Sequence, residues 1–104
     1  MPRTGMVYWV DTTILPPGDP EDLRPVVVVD TPGGRDGTVT VVARSGTDDF
    51  GIEHPADPRL GLSGAGRFSR CHAVPGRLWT SRDVTPIGPL DHDVLAAVVE
   101  RFLP

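Results

Sequence analysis

The chain contains no lysine, no asparagine and no glutamine. Without lysine there is no Schiff-base chemistry and no phosphate-binding loop that ends in lysine. Any fixed cation in a site must be an arginine or a protonated histidine. The single cysteine, Cys71, excludes an internal disulfide and a cysteine-based zinc cluster. No run is apolar for long enough to span a membrane as a helix, and none has the layout of a signal peptide. The cytoplasm is therefore the expected location, with no membrane partner. Basic residues are outnumbered, ten against fourteen acids, for a formal charge of -4. That balance argues against general affinity for nucleic acid, which usually relies on a basic surface.

What is present points to a small β domain. A length of 104 residues predicts one domain, residues 1–104. Twelve glycines and twelve prolines leave little room for helix. Short valine-rich runs between turn residues predict a mainly β fold with ordered loops.

The stretch that organises the chain is Arg24-Pro25-Val26-Val27-Val28-Val29. A β-branched apolar run suits a strand buried on both faces. Pro25 lacks an amide proton and pushes Arg24 towards an extended conformation. Arg24 therefore enters the sheet at a defined place. It reads either as an anion receptor or as half of an ion pair with a nearby carboxylate.

Before it, residues 5–11 predict a strand with Met6, Tyr8 and Val10 on one face and Val7, Trp9 and Asp11 on the other. Three prolines between Pro16 and Pro20 make residues 12–23 a loop. After it, the dense turn signal at 30–37 predicts a hairpin into a third strand, Thr38 to Arg44, ending at Ser45-Gly46-Thr47. Residues 46–66 are irregular and carry Asp48, Asp49, Glu53 and Asp57. A short strand is expected near Gly51 to His54, with Leu60 and Leu62 tucked beneath the loop.

Alternation predicts a strand over 67–74, a turn at Pro75-Gly76 and another strand over Arg77 to Ser81. Pro86, Gly88 and Pro89 are expected to break the chain. The end is helical: Asp91 suits an N-cap, and Asp93 suits the helix dipole. Leu95, Val98, Val99 and Phe102 form one apolar stripe, and Leu90 with Leu95 fits a hydrophobic staple.

Several motifs fail on inspection. Gly61 to Ala65 misses the nucleophile elbow at its last position, and Gly64 to Ser69 misses the dinucleotide fingerprint at its third glycine. Cys71 and His72 are adjacent on a predicted strand and face opposite ways, so they do not form a catalytic pair. Cys71 is expected in the core. His54, His72 and His92 have no metal-ligand spacing, and no metal or other cofactor is expected. Tyr8, Trp9 and Trp79 are either core residues or stacking platforms for unpaired bases. Arg24 opens one strand of the hairpin and Ser45 closes the other, so antiparallel pairing would set them side by side. Together they offer charge for a phosphate and a directional hydroxyl.

The ordered set resembles the MazF/PemK family of toxin ribonucleases. The carrying pieces are Gly5 to Asp11, a Pro/Gly loop, Arg24 to Val29, a strand ending in a hydroxyl residue at Ser45, and Ile87-Gly88-Pro89-Leu90 before the last helix. The resemblance implies an SH3-like β-barrel with a C-terminal helix, working as a homodimer and restrained by a cognate antitoxin. It implies metal-independent cleavage of single-stranded RNA by attack of the 2′-hydroxyl. It assigns the catalytic arginine to Arg24 and the catalytic hydroxyl to Ser45, with Thr47 as second candidate. Trp9 and Asp11 are further candidates for RNA contact or catalysis. Two alternatives from another class stay open on the same barrel: a non-catalytic binding module, or an inhibitor of a protein target such as a topoisomerase.

Overall fold

The valine run forms the middle of a sheet that is covered on both sides. In the computed structural model, which describes residues 2–31 and 37–104, Val26 to Val28 are fully buried and Val29 nearly so. Burying each valine contributes about 1.5–3 kcal/mol relative to exposure, which anchors β2 (Leu23–Asp30) in the sheet. The others are β1 (Met6–Asp11), β3 (Thr38–Ser45), β4 (Ile52–His54), β5 (Gly66–Pro75) and β6 (Val84–Pro89). They form one antiparallel sheet in the order β4-β5-β3-β2-β1-β6, curled into a half-barrel, with one C-terminal helix, α1 (His92–Phe102). The fold is mainly β, as the composition predicts, and barrel-like with a C-terminal helix, as the resemblance implies. Residues 32–36, most of the expected hairpin turn, lie outside the described residues.

The two faces of the sheet carry two cores. Tyr8, Val10, Val26, Val28, Val41 and Val74 share one, closed by Ile14 and Leu15 from the Pro-rich loop. Val7, Val27, Val29, Val42 and Phe68 share the other, under α1 and the loop residues Leu60 and Leu62. The alternation predicted for β1 is the one observed. Tyr8 is core, its hydroxyl accepting from the Arg3 amide at 3.0 Å, with Trp79 edge-on at 5.1 Å. Trp9 is half-buried on the opposite, helix-covered face.

The Asp91 carboxylate caps α1 by accepting from the amides of Asp93 and Val94 at 3.1 and 3.3 Å. Of the predicted stripe, Val98 alone is fully buried, while Leu95, Val99 and Phe102 are half-buried.

Three expectations fail. Residues 77–81 form no strand, because the chain turns in a short 3-10 helix at Gly76–Leu78. Residues 84–89, read as a break, are a strand. β6 pairs only with β1, and an edge strand tolerates proline. The register shift between Val7 and Tyr8, with Gly88 at φ +146°, absorbs the irregularity. Cys71 is exposed rather than core. Among the described residues β4 pairs with β5 only over Gly66 to Phe68, and no strand pairs with that edge of β5 beyond this point.

Candidate functional site

Antiparallel pairing of β2 and β3 sets Val26 opposite Ala43. Extending that register by two residues sets Arg24 opposite Ser45. Both line one open groove of about 370 Å³ on the face of the sheet that carries the Pro-rich loop. Thr47, Asp48, Arg70 and His72 line it as well.

The Pro-rich loop folds back over the strand entrance and delivers Asp19 to Arg24. Asp19 grips the guanidinium with both oxygens, from Nε at 3.0 Å and from Nη2 at 2.5 Å. The pair is about four-fifths buried. This hydrogen bonding raises the Arg24 pKa and holds the Asp19 carboxyl below the usual carboxylate range. Arg24 is therefore half of an ion pair, and Nη1 is the guanidinium nitrogen without a hydrogen-bond partner among the described residues.

Ser45 is nearly buried, and its Oγ closes a turn by accepting from the amides of Thr47 and Asp48 at 3.2 and 3.3 Å. Thr47 is exposed, with its hydroxyl 3.3 Å from that of Ser45. The two candidate hydroxyls thus form one pair, Ser45 positioning and Thr47 presented. Asp48 accepts from Ser69 Oγ at 2.6 Å and from Arg70 Nε at 3.3 Å, and the Ser69 bond chiefly keeps its pKa low. Phe50 stands exposed with the Arg70 guanidinium 5.4 Å from its ring centre.

The structure does not bring Trp9 and Asp11 to the groove. Trp9 packs on the helix side, and Asp11 caps the short turn after β1 by accepting from the Thr13 amide and hydroxyl at 2.9 and 2.8 Å. Three of the four acids in residues 46–66 have basic partners: Asp48 with Arg70, Glu53 with Arg67, and Asp57 with Arg59 and His54. The loop is less negative in space than in sequence.

Sequence reasoning missed a buried network beside the groove. Arg44 donates from Nε to His54 Nδ1 at 2.8 Å and from Nη2 to the Gly64 carbonyl at 2.6 Å. His54 Nε2 lies 3.3 Å from Asp57. Burial, then the neighbouring Arg44 charge, pushes the His54 pKa down, so the His54–Asp57 contact is a neutral N–H donating to a carboxylate rather than an ion pair. This network ties β3 to β4 at His54 and to the far end of the long loop at Gly64. The signal was a basic residue at an inward-facing position of β3, legible only with the pairing in hand.

Among the described residues no cluster of histidine, cysteine and acids is arranged to hold a metal. The groove can bind an anion at Arg24 Nη1 and direct a hydroxyl from Thr47, while Phe50, outside its lining, is exposed beside Arg70. No protein-family model and no curated protein matches this chain, so the groove is read from its own residues.

Proposed function

We propose that this chain is an endoribonuclease that cuts single-stranded RNA by attack of the 2′-hydroxyl on the adjacent phosphate. The observation that carries the reading is the meeting of Arg24 with the Ser45–Thr47 hydroxyl pair in one open groove. Arg24 stabilises charge developing on the phosphate oxygens through Nη1, fixed in place by Asp19. Thr47 directs a hydrogen bond to the attacking oxygen. Phe50, backed by Arg70, stacks on a splayed base. Such cleavage relies on positioning and electrostatics and needs no metal. The resemblance supplies the setting: a cytoplasmic homodimeric toxin, held inactive by an antitoxin.

The test is cleavage of a long unstructured RNA in EDTA. The wild type should leave cyclic phosphate ends. Arg24→Ala should lose at least about 100-fold in rate, and Arg24→Lys should recover little, because the planar fork is lost. Full activity of Arg24→Ala would remove this groove from the reaction.

A second reading has one observation in its favour. Asp19 already occupies two nitrogens of the Arg24 fork, which suits a barrel that binds a protein target without cutting. Growth arrest on expression, with no cleavage of any RNA by the pure protein, would establish that alternative.

A further inference from the structure

The three histidines have different surroundings. His92 is fully exposed at the start of α1. His54 has both ring nitrogens engaged, with Arg44 and Asp57. His72 has neither nitrogen in a hydrogen bond among the described residues, yet it is half-buried and lines the groove. It sits opposite Val41 on β5, two residues beyond Arg70, which sits opposite Ala43. Val41 and Ala43 belong to the core on the groove face, so that register directs His72 there too.

The proposed reaction requires a group that takes the 2′-hydroxyl proton. Arg24, Arg44 and Arg70 are cations with no lone pair to offer. Asp19 and Asp48 are committed to Arg24, Ser69 and Arg70, and both are held in the weakly basic, ionised form. The Ser45 oxygen already accepts two amides. His72 remains, with an unengaged imidazole.

We propose that His72 is the general base of this site. The inference rests on the RNA-cleavage reading. A ring nitrogen of His72 takes the proton from the 2′-oxygen, which bonds to the adjacent phosphorus. The bond from phosphorus to the 5′-oxygen breaks, and that oxygen takes a proton from water. The imidazolium then gives its proton to the hydroxide left behind. The products are a 2′,3′-cyclic phosphate and a 5′-hydroxyl. Burial, then Arg70, keeps the His72 pKa below its ordinary value against the opposing pull of Asp19, so the base is free at neutral pH. The charged groups around it are Arg70 on its own strand, Arg44 on the paired strand β3, Asp19 from the Pro-rich loop, Arg24 from β2 and Asp48 from the long loop.

The experiment is a pH–rate profile from pH 5 to 8 in EDTA for wild type, His72→Ala, His72→Gln and Arg24→Ala, with melting temperatures at each pH. The wild-type rate should rise with pH and then level off, with the midpoint of the rise below the ordinary histidine value. Both His72 variants should fall by at least about 100-fold at neutral pH and lose that rise. Added imidazole should restore part of the His72→Ala rate. His72→Gln serves if the alanine variant does not fold. A His72 variant within threefold of wild type, with the same rise, while Arg24→Ala is inactive, overturns the assignment and leaves RNA cleavage standing. A folded wild type that cuts no RNA overturns both.

Discussion

Replacing Arg44 by alanine should be the most damaging single polar change in the molecule, and its damage should carry a pH signature. Arg44 is 7% exposed. Its two short bonds, to His54 Nδ1 at 2.8 Å and to the Gly64 carbonyl at 2.6 Å, come from a charged donor. Each such bond contributes about 1.5–3 kcal/mol. Water entering the vacated space offsets some of the loss, which leaves a net cost of about 3 kcal/mol. In a domain of this size that lowers the melting temperature by roughly 12–24 °C. His54 has a folded pKa below its ordinary value, through burial and the Arg44 charge. Below about pH 6.5 the unfolded chain takes a proton at His54 that the folded chain refuses. Stability is therefore fully present above that pH and declines as pH falls towards the folded pKa, by up to about 1.4 kcal/mol per pH unit. His72 shifts the same way and adds to the slope. Without Arg44 the His54 pKa moves back up, so the variant should be less stable at pH 7 but lose less on acidification to pH 5. Thermal and urea unfolding of wild type and Arg44→Ala at pH 7, 6 and 5 measures both effects. A variant melting within about 3 °C of wild type, or wild-type stability that is flat across this range, would refute the network as described.

Five further substitutions have outcomes set by their surroundings. Val98→Ala should cost about 2 kcal/mol, since two buried carbons are lost and a cavity remains. Leu95→Ala, at a half-buried position, should cost less, and chemical denaturation would rank the two. Gly51→Ala should cost at least about 2 kcal/mol, because the residue sits at φ +103° and an added Cβ would lie 2.3 Å from the Phe68 carbonyl oxygen. Phe50→Ala should leave the melting temperature nearly unchanged and weaken binding of a short single-stranded RNA by about 1–3 kcal/mol, read by fluorescence titration. Arg24→Ala should cost about 2 kcal/mol of stability, because it leaves the largely buried Asp19 carboxylate unpaired, so its cleavage is assayed below its own melting temperature, read by thermal unfolding.

The valines, the alternation of β1 and the capped terminal helix were legible because each is a local pattern with a single structural outcome. Antiparallel pairing of β2 with β3 was legible from the two valine-rich runs, and both Arg24 and Ser45 line one groove. The failures share a cause. Pro86 and Pro89 argue against a strand only where both sides are paired, and nothing local marks β6 as an edge. Cys71 alternates like a core residue, but β4 ends before reaching it. Arg44 and His54 meet through a long loop whose course no periodicity encodes. Asp19 stands five residues before Arg24, and its grip depends on the bend that three prolines impose.

The valine run is rich in burial and poor in information. A strand that slips by one residue normally turns its apolar side outward and is penalised at once. Here a slip would exchange one buried valine for another, since both faces of β2 are equally dry. The four valines cannot report the error. Only the ends can: Leu23 and Asp30, which are exposed, and Pro25, which fits where the ladder asks for no donor. A slipped strand would also carry Arg24 to the face under α1, out of reach of Asp19 and the groove. A strand so slipped would keep its valine core and lose the proposed site, so burial alone does not select the register on which the chemistry depends.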